Sequence, residues 1–103
     1  MSLINREMPF FKHYADLSKR PEIKKMMSKK GTIAFGVYLM LLERLIITEG
    51  CKEEVDFAVL AWDFGCSEEL VRSVLCDFGL FKINVDGDVV TYSSKYLDEQ
   101  IKK

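Results

Sequence analysis

Between Asp56 and Tyr92 the chain spells out an order of elements that restricts its fold more than any other feature. The run Asp56-Phe-Ala-Val-Leu-Ala-Trp-Asp-Phe64 reads as a short helix and gives way to Gly65-Cys66-Ser67. A second helical run, Glu68 to Phe78, follows at once and stops at Gly79. Two short helices joined by a three-residue, glycine-containing turn are the mark of a helix-turn-helix. Two apolar-alternating segments then flank Asp86-Gly87, a strong short hairpin signal. The sequence therefore predicts a mainly α chain with a small β-hairpin, a winged helix-turn-helix.

The rest of the chain supplies the helices that such a unit packs against. Pro21 suits the first turn of a helix running to about Lys30, with Ile23, Met26 and Met27 inward. Thr32 is placed to cap the longest helix, which runs to about Glu49. That helix is apolar on nearly every side, from Ile33 to Ile46, so it is expected at the centre of the fold. Gly36 within it costs about 1 kcal/mol relative to alanine, and close approach of another backbone is the expected reason. Gly31, Gly50, Gly65 and Gly79 each follow a helical run and read as helix stops.

In the second helix of the motif, Ser67 is a good cap, and Glu68 and Glu69 sit where the helix dipole favours them. Leu70, Val71, Val74, Leu75 and Phe78 repeat at three and four residues and should face the core. That leaves Glu69, Arg72, Ser73 and Cys76 outward, with Asp77 at the edge. In the hairpin Phe81, Ile83 and Val85 alternate with Lys82 and Asn84, and Val90 and Tyr92 answer across the turn. The polar stretch from Ser94 reads as a short helix with Tyr96, Leu97 and Ile101 inward. The expected organisation is an arm over 1–20, a winged-helix domain over 21–93 and a helical extension over 94–103. The extension has no stop signal and points to a further region downstream.

A length of 103 residues suits one core. With 49% hydrophobic and 30% charged residues, the chain is globular rather than disordered. Its densest apolar run, Phe35 to Ile47, holds Glu43 and Arg44, so no membrane partner is expected. The first residues lack the basic head and apolar stretch of a secretory signal, and the expected location is cytoplasmic. Cys51, Cys66 and Cys76 are odd in number and lack the paired spacing of a zinc site or disulfide framework. They read as three thiols.

Charge is distributed unevenly. Residues 1–30 carry eight Lys/Arg against three Asp/Glu, a net +5, which leaves −6 for the remainder. A basic front on an acidic body points to a charged partner.

A resemblance enters with Pro9-Phe-Phe-Lys-His-Tyr14, Arg20-Pro-Glu-Ile23, Lys30-Gly-Thr-Ile-Ala-Phe-Gly-Val-Tyr-Leu-Met-Leu-Leu-Glu43 and Gly79-Leu-Phe81. Over roughly residues 9 to 92 the chain resembles the N-terminal winged-helix domain of phage and mobile-element replication proteins of the DnaD-like, replisome-organiser kind. Within the pattern, Ala34 stands for a glycine, Tyr14 for an aspartate, and Lys30 where an aromatic is common. The resemblance implies DNA binding or replisome assembly in plasmid or phage replication.

Catalysis finds little support. No phosphate-cradling Gly-x-x-x-x-Gly-Lys-Ser/Thr occurs, and His13 lacks a nucleophile or orienting partner. The pairs Glu53-Glu54 and Glu68-Glu69 are adjacent, so on a helix their members diverge. The expectation is no enzyme, no cofactor and no metal, with His13 packing beside Phe10, Phe11 and Tyr14.

For duplex DNA, the contacts expected are Arg72 and Ser73 on the recognition helix, Lys82 on the wing, and Lys24, Lys25, Lys29 and Lys30 on phosphates. Glu68, Glu69, Asp86 and Asp88 oppose that reading. The alternative is a module for self-association or for contact with a replisome protein, using the opposite charges of front and body or the aromatics of the arm.

Overall fold

In the computed structural model, residues 17–101 are described. A single 3-10 turn, Leu17–Lys19, leads into α1 (Pro21–Lys30) and α2 (Ile33–Ile47). A connection through Gly50 and Cys51, both at positive φ, enters β1 (Lys52–Glu54). Then come α3 (Phe57–Phe64), α4 (Glu68–Cys76), β2 (Phe81–Asp86), β3 (Val89–Ser94) and α5 (Lys95–Ile101). The three strands form one antiparallel sheet in the order β1-β3-β2. This mainly helical chain with a small three-stranded sheet has the layout of a winged helix.

The bend between α3 and α4 is built from local hydrogen bonds. Asp56 caps α3, its side chain accepting from the Val59 N–H at 3.2 Å. Gly65 enters the left-handed region at φ 68°, ψ 36°. The Cys66 N–H then donates to the Ala61 carbonyl, and the Gly65 N–H to that of Trp62. This is the Schellman closure, which satisfies carbonyls that a helix end leaves bare. Ser67 Oγ accepts from the Leu70 N–H at 3.1 Å and starts α4.

Tyr38 of α2, Phe81 of β2 and Tyr92 of β3 form an edge-to-face chain with ring centroids 5.6 and 6.1 Å apart, joining the central helix to the sheet. Around it lie Val37, Leu41, Leu42 and Leu45 of α2 with Val71, Val74 and Leu75 of α4, all essentially buried. Leu17 of the first turn and Tyr96 and Leu97 of α5 are buried in the same core. Ser94, itself buried, caps α5 by accepting from the Leu97 N–H at 3.2 Å.

Several expectations are corrected. The strand β1 is new: Lys52-Glu-Glu carries none of the β-branched or aromatic character that marks strands. It forms because it pairs with β3, Glu53 opposite Tyr92. Glu53 and Glu54 thus diverge on a strand rather than on a helix. Thr32 makes no side-chain cap; it has helical dihedrals and belongs to a turn between α1 and α2. Gly36 has no close neighbour, since a Cβ built there meets nothing within 4 Å. The hairpin loop is Gly87-Asp88, one residue later than read, because Asp86 still pairs with Val89. Of the two loop residues only Gly87 takes a positive φ, 62°, as a type II′ turn requires. Of the alternating apolar residues of β2 only Phe81 is buried; Ile83 and Val85 extend past the core and stay exposed. Phe10, Phe11, His13 and Tyr14, expected to pack together, and the arm expected before Leu17 lie outside the described residues, as do Lys102 and Lys103.

Candidate nucleic-acid interface

The α4 helix presents an acidic start. Ser67, Glu68 and Glu69 are exposed there, with Arg72 one turn further on. The Arg72 guanidinium lies 4.3 Å from the centroid of the Phe57 ring, stacked across the helix-turn-helix onto α3. At an exposed site such a contact is worth roughly 0.5–1 kcal/mol, so it biases the side chain without fixing it. Ser73 does not face outward: it is only 6% exposed. A small side chain at the border of the apolar stripe is covered by its larger neighbours, and Ser73 drops out of the candidate contacts. Cys76 is exposed as expected, and burial of its surroundings pushes its thiol pKa up, as it does for Cys66. Neither thiol is activated.

Lys82 sits at the base of the wing. It lies opposite Ser93 in the ladder, and Ser93 is flanked on its other side by Lys52 of β1. Directly opposed residues share a sheet face, so Lys52 and Lys82 flank Ser93 on the face away from buried Tyr92 and Phe81. The tip of the wing is different: Asp86, Gly87 and Asp88 are all exposed and bring no cation.

On α1, Lys24, Lys25 and Lys29 are exposed and Lys30 is half-buried. Lys30 lines a shallow cleft with Ile33, Ser67, Glu69 and Leu70. The fold therefore carries the C-terminal end of the basic helix to the start of α4. Of the sequence-derived contacts, Lys30 meets α4, Arg72 belongs to it, and Lys82 lies on the sheet.

Sequence reasoning missed a part-buried polar network that joins α2, β1, β3 and α3. Arg44 of α2 donates through Nε and Nη2 to the two carboxylate oxygens of Glu53, each at 3.0 Å, and through Nη1 to Asp63 of α3 at 2.8 Å. The Tyr92 hydroxyl donates to Glu53 Oε1 at 2.7 Å. Burial by itself would raise the Glu53 pKa, but the hydrogen bonds from Arg44 and Tyr92 outweigh it and hold the carboxyl below its ordinary value. Tyr92 is pushed well up by burial and by Glu53, and so stays a neutral donor. The signal was present: Arg44, next to Glu43, interrupts a mostly apolar helix, and a half-buried cation there needs a partner. A second cation, Arg20, lies over the Tyr96 ring at 5.1 Å and within 4.0 Å of Glu99, linking the start of α1 to α5.

Two further features bear on function. Trp62 on the outer side of α3 is 85% exposed, and Val59, one turn earlier, is 49% exposed. Among the described residues no group of three or more His, Cys, Asp or Glu is placed to hold a metal ion, and no helix is long and apolar enough to cross a membrane.

Neither the curated proteins nor the solved structures contain a match to the chain. A family model does match, across residues 10–95, which takes in α1 through β3 and the first residue of α5. By that match the chain belongs to the family described as Lin1244/Lin1753-like, N-terminal.

Proposed function

We propose that this domain is a non-catalytic winged-helix module of a replication-initiation-like protein, of the DnaD-like kind, that associates with duplex DNA in the cytoplasm. The observation that carries the reading is the meeting of the basic C-terminal end of α1 with the start of α4, through Lys30 beside Ser67 and Glu69. Glu68 and Glu69 keep the helix start itself from a phosphate, so the electrostatic attraction comes from Lys24, Lys25, Lys29 and Lys30. Arg72, released from Phe57, supplies one side chain able to reach a base edge, and a bidentate contact with guanine is worth about 1–3 kcal/mol. Lys82, with Lys52 beside it across Ser93, adds cations at the base of the wing. Binding of this kind is dominated by phosphate contacts and discriminates weakly among sequences.

Titration with a short duplex at several salt concentrations tests the reading. Four lysine–phosphate contacts give a slope of log K against log salt of about −3.6, since each releases roughly 0.9 counterion. Absence of binding at low salt removes the DNA reading. Self-association is the second reading, favoured by exposed lysines on α1 and exposed acids on α4 and the wing tip of the same molecule. A strict monomer in concentration-dependent sedimentation removes that one.

A further inference from the structure

The wing has an open strand edge. In the sheet order β1-β3-β2, β3 is central and β2 has a free side among the described residues. β2 pairs with β3 residue for residue from Phe81 to Asp86, with neither a bulge nor a proline to guard that side. The other edge, β1, is only three residues long. The Val90 carbonyl accepts from the Val55 N–H at 2.8 Å and so points at β1. Val85, opposite Val90, then turns its own N–H and C=O away from β3, as does Ile83 two residues earlier. Both residues also carry apolar side chains past the core: Ile83 is 40% exposed and Val85 71%. They share one face of the sheet, opposite Tyr92 and Val90, while Lys82, Asn84 and Asp86 stand exposed on the other.

We infer that β2 pairs antiparallel with β2 of a second copy about a two-fold axis at Asn84, joining two wings into one continuous sheet. The run Lys82-Ile-Asn-Val-Asp86 selects that occupant because it is its own complement. In this register Ile83 of each copy lies opposite Val85 of the other. These are the residues with outward N–H and C=O groups, so each such pair exchanges both backbone hydrogen bonds. On the outer face Lys82 lies opposite Asp86, and Asn84 opposite the second copy's own asparagine. The neighbouring registers that keep the faces matched put Lys82 or Asp86 opposite Asn84 and lose the charge pairing. A lysine on an edge strand ordinarily discourages pairing, but here Asp86 of the second copy answers it. The contact uses the same patch on both chains and closes at two copies. It gives the self-association reading a surface and rests on that reading, not on DNA binding.

Sedimentation of the full chain across concentration, read beside amide hydrogen exchange by NMR, tests the pairing. The expected result is a reversible dimer in which the Ile83 and Val85 amides are protected at high concentration and exchange fast on dilution. Lys82→Asp and Asp86→Lys each set like charges opposite one another at both ends of the paired run and weaken the dimer about tenfold, whereas the two changes together restore it. Rescue by the double variant requires a folded wing, so damage to the fold does not imitate it. Val85→Pro removes an outward N–H, leaves the bonds to β3 in place and abolishes the dimer. A strict monomer overturns the pairing and the self-association reading together. A dimer indifferent to both single charge variants overturns the pairing alone; if Lys24→Ala/Lys25→Ala then abolishes it, association belongs to the lysines of α1. A double variant as weak as the single ones also overturns the pairing. Protection of the Ile83 and Val85 amides at every concentration does so too, by assigning the edge to the chain's own residues.

Discussion

Replacing Glu53 by glutamine tests the network that ties four elements of this fold together. Glu53 accepts two hydrogen bonds from Arg44 at 3.0 Å and one from Tyr92 at 2.7 Å, joining α2 and β3 through β1. Asp63 extends the tie to α3. Glutamine keeps one oxygen but turns an N–H group toward the guanidinium, so at least one charge-assisted bond is lost and Arg44 keeps only Asp63 as an ionic partner. A hydrogen bond to a charged group contributes about 1.5–3 kcal/mol when shielded. The side chains of Arg44 and Glu53 are 28% and 23% exposed, which places the cost near the lower part of that range. About 2 kcal/mol is expected, or roughly 10 °C in the thermal midpoint of a domain this size.

The pH dependence separates loss of this ion pair from general damage. The folded pKa of Glu53 lies below its ordinary value. Its stabilising contribution is therefore complete above the unfolded value of about 4.3 and disappears as the pH falls through the folded value. Thermal melts of both proteins at pH 7 and at progressively lower pH should show the gap at its widest at neutrality and closing below about pH 4. Tyr92→Phe should cost about 1.5 kcal/mol by itself and less in the Glu53→Gln background, because both changes act on one oxygen cluster. A gap under about 0.5 kcal/mol at pH 7, or one that stays constant on acidification, refutes the account of the network.

Gly36→Ala should stabilise the domain by about 0.5–1 kcal/mol in chemical denaturation, because the glycine lies inside α2 and a Cβ there meets nothing within 4 Å. Gly65→Ala should do the opposite by about 1 kcal/mol or more, since its φ of 68° disfavours any side chain at the Schellman closure. Ser67→Ala should cost about 1 kcal/mol through loss of the α4 cap while leaving DNA affinity nearly unchanged at a fixed salt. Lys24→Ala/Lys25→Ala should lower the magnitude of the DNA salt slope by about 2, whereas Arg72→Ala should lower it by no more than about 1.

The helices, the bend and the hairpin were legible because each is specified locally. The Ser67 cap, the Gly65 stop and the three-and-four spacing of Val71, Val74 and Leu75 all act within a few residues of themselves. What escaped was non-local. β1 has no strand character of its own and exists because β3 offers an unpaired edge and Arg44 a countercharge for Glu53. The burial of Ser73 and the exposure of Ile83 and Val85 depend on where the core ends, which periodicity does not state. The hairpin loop slipped by one residue because a glycine's demand for positive φ fits the first loop position of one turn type as well as the second of another. For the candidate site, the lysines were legible as charges, but only the packing of α1 against α2 puts Lys30 beside α4.

The acidic start of α4 connects stability with function. Glu68 and Glu69 stabilise the helix by meeting its positive end, each by about 0.3–1 kcal/mol, and Ser67 completes the same terminus. A phosphate approaching that terminus would have to displace or neutralise both carboxylates, so the groups that secure α4 also repel an anion there. Reversing one of them therefore moves the two properties in opposite directions. Glu69→Lys, an exposed change, should cost several tenths of a kcal/mol of stability by placing a cation on the helix dipole. The same change puts a lysine in the cleft beside Lys30 and should strengthen duplex binding, steepening the salt slope by about 1. Fluorescence anisotropy with a labelled duplex, run beside a thermal melt, reads both. A variant that loses stability without gaining DNA affinity would mean that the nucleic acid never approaches the start of α4, and the meeting of α1 with α4 would then serve packing alone.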